Sequence, residues 1–236
     1  MDLWRILLIG AVVAGVVLLL LPGPEEVPGL VGGVVVEEGT YVVERVGQNP
    51  IEETFALWVA DGVYRVESAL RVGTQKVEAI LILDREWNPL YYAEKGQAPV
   101  SVRIAAGRPR VTSGSGLFRR EVTLVGFPPY VFLGIETVGP WFAAHRYLQA
   151  QAHAVEVTAV LSGKRTTISL IGSAPEPVGL VVGERTLPAE VYHVRVGDGD
   201  VWLYGQGELL LGGSLPGEGW TFYLKEMLPD GLQIAP

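Results

Sequence analysis

The sequence predicts a mainly β protein: an N-terminal transmembrane helix followed by one curled antiparallel sheet. That sheet is expected to be a half-barrel of roughly 11–13 strands with a central helix on its concave face. Three observations carry this prediction. Ile6 to Leu21 is an unbroken run of Ile, Leu, Val, Ala and Gly. From Val34 onward, apolar and polar residues alternate with period two between Gly-containing turns. One interval, Phe127 to Ala150, loses that alternation and is rich in aromatic residues and Pro. The implied plan is an anchor over 1–23, a Pro/Gly linker over 24–33, a β domain over 34–228 with a helical insert near 128–151, and a tail over 229–236.

With Leu3 and Trp4 included, the apolar run is about 19 residues, or about 28 Å as a helix, close to the hydrocarbon thickness of a bilayer. A cleaved signal peptide is the alternative, but the exit sequence Leu19-Leu20-Leu21-Pro22-Gly23-Pro24 has no small-x-small cleavage pattern. The chain has no Cys, which excludes a lipid-modified N-terminal Cys after cleavage. Arg5 before the run and Glu25 and Glu26 after it place the N-terminus in the cytoplasm by the positive-inside rule. The expected location is therefore a single-pass inner-membrane protein with its β domain on the periplasmic or extracytoplasmic side, the alternative being secretion after cleavage. Gly10 with Ala14, and Ala11 with Gly15, are small-xxx-small pairs of the kind that let spans approach closely.

The chain has 236 residues and a net charge of −8. Without anchor and linker about 200 residues remain, enough for one large β domain or two small ones. The acidic balance argues against nucleic acid as a partner. Arg119-Arg120 is the densest basic cluster, and adjacent strand residues point to opposite faces. The absence of Cys also excludes disulfides, thiolate chemistry and Cys-zinc sites.

Strand by strand, Tyr64, Val66, Leu70 and Val72 fall on one face, with Arg65, Glu67 and Arg71 on the other. Val77, Ala79, Leu81 and Leu83 alternate before Ile80 and Ile82 make both faces apolar. Val100, Val102 and Ile104 follow, then Val155, Val157, Ala159 and Leu161, then Ile168 and Leu170. Tyr192, Val194 and Val196 and then Trp220, Phe222 and Leu224 complete the series. One dry and one wet face is the pattern of an antiparallel sheet. Asp61-Gly62, Gly73-Thr74, Gly96-Gln97, Gly107-Arg108, Ser162-Gly163, Gly183-Glu184 and Asp198-Gly199 punctuate it as tight turns, which suggests a meander. A sheet of that length must curl to bury its dry face and hide its edges. Within the insert, a helix is expected to begin near Pro140, with Trp141, Phe142, Tyr147 and Leu148 as an apolar stripe over the concave face.

Catalytic motifs are missing. His145, His153 and His193 lack metal-ligand spacing and read as surface or edge residues, so no metal is expected. The string Gly212-Gly213-Ser214-Leu215-Pro216-Gly217 misses the hydrolase-elbow spacing by one place. Ser113-Gly114-Ser115-Gly116 lacks the Lys and following helix of a phosphate loop, and Asp198-Gly199-Asp200 reads as a hairpin turn. The chain is read as non-enzymatic and without cofactor. What remains is aromatic surface in excess of an ordinary core. Tyr64, Leu70, Tyr92, Phe127, Trp141, Phe142, Tyr147, Trp202 and Phe222 are the residues expected to line a cavity between sheet and helix.

A pattern runs through Gly39-Thr40-Tyr41, Tyr64-Arg65-Val66-Glu67-Ser68, Asn88-Pro89-Leu90-Tyr91, the mid-chain aromatic insert, Val201-Trp202-Leu203 and Gly207-Glu208-Leu209-Leu210. It resembles that of bacterial envelope proteins whose domain is similar to the Lol lipoprotein-carrier superfamily (LolA/LolB-like). The resemblance spans about Gly39 to Leu224 and implies a curved sheet with a helix over its concave face. The carriers' lipobox Cys is absent here. By layout alone, the chain is also similar to the single-span β-jellyroll bridge component of lipopolysaccharide transport. The expected function is a membrane-tethered domain that holds a membrane lipid or other apolar ligand, with the 141–148 helix as a movable lid and other envelope proteins as further partners. The alternative is a non-catalytic scaffold or interaction subunit of an envelope complex, docking through an exposed strand edge or patch.

Overall fold

The computed structural model describes residues 32–225, apart from 97–98, 115–117, 135–136, 152, 162–163 and 183–184. Eight strands form a first meander: β1 (Val34–Arg45), β2 (Ile51–Ala60), β3 (Val63–Val72), β4 (Gln75–Leu83), β5 (Pro89–Lys95), β6 (Val100–Ala105), β7 (Arg108–Ser113) and β8 (Arg120–Thr123). A short β9 (Tyr130–Leu133) and helix α1 (Gly139–Gln151) follow. The second series is β10 (Val155–Leu161), β11 (Thr166–Gly172), β12 (Glu176–Val182), β13 (Arg185–Val196), β14 (Gly199–Gln206), β15 (Leu209–Leu215) and β16 (Trp220–Leu224).

All sixteen strands belong to one open sheet, ordered β8-β7-β6-β5-β4-β3-β2-β1-β16-β15-β14-β13-β11-β10-β9, with β12 beside the first half of β13. The first and last strands meet in the middle of this order, Tyr41 opposite Leu224 and Val43 opposite Phe222. The two ends of this order, β8 and β9, are consecutive in the chain, and β12, which pairs only with β13, leaves a third open edge. The turns are those that tight hairpins require: Asp61 (φ 49°) and Gly62 (φ 78°) both take the left-handed conformation between β2 and β3.

The period-two pattern sorts the faces as expected. Tyr41 and Val43, Phe55 and Leu57, Leu81 and Leu83, and Tyr192 and Val194 are buried on the concave side. The outer face carries cross-strand polar pairs such as Arg110 with Glu121 (3.2 Å) and Tyr223 with Glu44 (3.0 Å). Arg65 places its guanidinium carbon over Trp58, 4.6 Å from the ring centre, and pairs with Glu67.

α1 occupies the hollow of the sheet. Its residues are buried without a break from Gly139 to Leu148, so the helix is wrapped on every side and presents no polar face there. Two strand glycines allow this close approach. A Cβ on Gly205 would stand 2.2 Å from His145 Nε2, and one on Gly172 would stand 2.4 Å from Leu148 Cδ2.

The expected fold class needs correction. The sheet has sixteen strands, not 11–13, because short pieces such as β8 and β9 are too brief to show an alternation. The expected anchor over 1–23 lies outside the described residues. Among the described residues no helix is long and apolar enough to cross a membrane. α1 has 13 residues and includes His145, Arg146, Gln149 and Gln151; at about 1.5 Å per residue it spans about 20 Å. Among the described residues the structure is thus a mainly β fold of one open sheet with one helix, which does not support the expected transmembrane-helix fold class or the single-pass inner-membrane location. The finding concerns helices alone.

Candidate functional site

The residues expected to line a cavity are divided by the sheet. Leu70, Tyr92, Trp141, Phe142, Tyr147 and Phe222 are buried on the concave side. Tyr64 is half-buried there and stacks on Trp87 at 4.3 Å. Trp202 lies on the outer face, stacked on His193 at 5.3 Å. Phe127 is 81 % exposed. The buried group packs ring against ring, with Tyr41–Phe55 at 5.0 Å, Phe55–Phe142 at 5.3 Å and Tyr41–Phe222 at 5.7 Å. The space between α1 and β4, β5 and β9 is a cavity of about 10 Å³ beside Ala143 and Ala144. That is barely room for one water, whereas ligand sites take about 300–1,000 Å³. The membrane and lipid-binding reading is corrected accordingly: the described residues supply no spanning helix, and this cavity beside α1 is too small for an acyl chain.

The plug is held by polar groups that the sequence reading did not single out. Glu53 of β2 is fully buried, and its two carboxyl oxygens accept the Val138 N–H at 2.8 and 2.9 Å. Oε1 also accepts the Gly139 N–H at 3.3 Å, so Glu53 caps the start of α1 from a distant strand. Burial pushes its pKa up to about 7, against the downward pull of those N–H groups. The signal for it is phase: Glu53 alternates in step with the inward Phe55 and Leu57.

His145 is also fully buried, contrary to the surface position expected for it. Its ring meets Tyr192 edge-on at 5.2 Å, and neither nitrogen has a hydrogen-bond partner among the described residues. Burial, with the Arg146 charge beside it, lowers its pKa to about 3, so the imidazole is neutral. Arg146 itself is buried, lies 5.1 Å over the Phe142 ring, and binds Glu37 of β1 and Glu208 of the β14–β15 turn. The remaining histidines, His153 and His193, are exposed, and His193 Nε2 lies 2.7 Å from Asp200 Oδ1. Among the described residues, no group of three or more His, Asp or Glu is placed to hold a metal ion.

The two ends of the strand order differ sharply. β9 is buried along its whole length, parallel to β10 on one side and covered by α1 and β5. The Tyr130 hydroxyl ties it down by donating to the carbonyls of Gly126 (2.8 Å) and Gly107 (3.1 Å). β8 pairs only with β7, and all four of its residues are exposed. Between the edges runs a strap, 124–129. The Leu124 N–H donates to the Pro109 carbonyl at 2.8 Å on one side. On the other, Thr167 Oγ1 donates to the Val125 carbonyl (2.6 Å) and Thr158 Oγ1 to the Phe127 carbonyl (2.7 Å). On and beside this edge, Phe118 (85 %), Val122 (42 %), Val125 (79 %) and Phe127 stand exposed within ten residues of one another. A groove of about 420 Å³ separates the strap from the outer face of β10 and β11.

Comparison with family models, with curated proteins and with solved structures finds no match to this chain.

Proposed function

We propose that this chain is a non-catalytic interaction module that takes a partner protein at the bare β8 edge and the strap beside it. The observation that carries this reading is the asymmetry between β8 and β9, the two ends of the strand order. An open edge offers unpaired backbone groups to a further strand, and native sheets normally cover or charge such edges. Here β9 is covered, while β8 is uncovered, with exposed Val122 beside its charged Arg120 and Glu121, and exposed Phe118, Val125 and Phe127 stand before and after it in the chain. Exposed apolar residues gathered at one edge are the usual mark of a contact surface.

The test is site-specific photo-crosslinking in the producing cells. A photoreactive phenylalanine analogue replaces Phe118, and in a control chain Val46, which is equally exposed in the β1–β2 turn. The expected result is one adduct of discrete mass from position 118, absent from position 46 and diminished by Thr123→Pro, which removes an N–H that faces away from β7. Equal labelling at the two positions, or none at position 118, overturns the proposal.

A further inference from the structure

The side chains that line the groove beneath the strap have a one-sided hydrogen-bond inventory. The hydroxyls on its floor already donate: Thr158 to the Phe127 carbonyl, Thr167 to the Val125 carbonyl, and Ser169 to Glu156 Oε1 at 2.9 Å. What they offer an incoming group is lone pairs. Glu156 adds its second carboxylate oxygen, and Pro128 and Pro129 bring no backbone N–H. No Lys, Arg or His is among the described residues lining the groove. Its rim is apolar, formed by the Phe127 ring and the two proline rings. A surface of acceptors with one full negative charge, under an aromatic and aliphatic rim, is complementary to a group that only donates, carries positive charge and rides on an apolar stem.

We infer that this groove receives an arginine or lysine side chain of the partner protein. The cation faces Glu156 and the hydroxyl oxygens of Thr158 and Thr167, and the methylene stem lies along Phe127 and Pro128. The inference rests on the interaction reading above and names the chemistry of the partner. A neutral polyol would also find acceptors here, but it would leave the Glu156 charge unmatched.

The experiment titrates N-acetyl-arginine amide into the full-length, ¹⁵N-labelled chain at low salt and follows backbone amide shifts. The neutral isostere N-acetyl-citrulline amide and maltose serve as parallel probes. The arginine compound is expected to move the amides of Glu156, Thr158, Thr167 and Ser169, with affinity falling at least about threefold in Glu156→Gln, the size of an exposed ion pair. The Gln side chain can still accept the Ser169 hydroxyl, so this variant keeps the local fold. Unmoved groove amides, equal shifts from citrulline, shifts from maltose in their place, or an unchanged affinity in Glu156→Gln each overturn the inference. A photo-adduct at position 118 with an unresponsive groove retires the groove occupant alone. A responsive groove without an adduct retires the docking reading alone.

Discussion

Two buried groups, His145 on the plug and Glu53 on the strand that caps it, titrate in opposite senses, and the stability of the fold should record both. His145 falls from its ordinary 6.5 to about 3 on folding. Between those values the unfolded chain holds a proton that the folded chain refuses, so stability is lost as pH falls from 6.5 toward 3. At about 1.4 kcal/mol per unit, the full loss is about 5 kcal/mol. Glu53 rises from 4.5 to about 7. There the folded chain holds the extra proton, so its contribution is present in full below pH 4.5 and is lost as pH rises through 7, about 3 kcal/mol in all. Between pH 6.5 and 4.5 the two slopes nearly cancel, and below 4.5 His145 acts alone. Urea unfolding from pH 7.5 to 3.5, on the wild-type chain, His145→Asn and Glu53→Gln, separates them. From pH 7 to 4 the stability of His145→Asn relative to wild type should rise by about 3 kcal/mol, and that of Glu53→Gln should fall by about 3 kcal/mol. A difference between His145→Asn and wild type that does not change with pH would show that the folded imidazole protonates freely. The account of a dry, unpartnered ring would then be wrong.

Two further expectations use contrasts within the fold. Phe142→Ala, at the centre of the aromatic cluster, should cost about 3–5 kcal/mol in urea unfolding, while Phe127→Ala should stay within about 0.5 kcal/mol. Of the two acids on Arg146, Glu37→Ala should cost about 3 kcal/mol or more, because it strips a largely buried partner from a buried guanidinium. Glu208→Ala, whose carboxylate is 82 % exposed, should cost under about 1 kcal/mol by the same measurement.

Much of the sheet is legible in the sequence because a half-buried strand writes its two faces into alternate residues. Phe55 and Leu57, or Tyr192 and Val194, declare their direction without any tertiary information. The helix is legible as the place where that alternation stops. Its surroundings are not: a stripe of Trp141, Phe142, Tyr147 and Leu148 predicts one buried side, but the sheet closes over the other sides too. Ala143, Ala144 and the facing glycines Gly172 and Gly205 make that possible, and small residues give no periodic signal. Glu53 and His145 stand among apolar neighbours, and an ionisable residue in the apolar phase is the trace that a cap or a dry histidine leaves. The bare edge is the least legible part. Four residues are too few to show a period, and whether an edge is covered depends on where a distant strand and helix come to rest.

The seam between β1 and β16 bears on how the chain is born. Hairpins such as β2–β3 can close as soon as they are made, across loops of about two residues. Joining Tyr41 to Leu224 closes a loop of about 180 residues, an entropic cost of about 5 kcal/mol before any contact offsets it. During synthesis the first meander is complete long before β16 exists. Its β1 margin stays open for most of translation and is sealed only when the last strand arrives. The hollow therefore closes from the middle of the sheet, and the order in which the strands are made decides how long its apolar lining meets water.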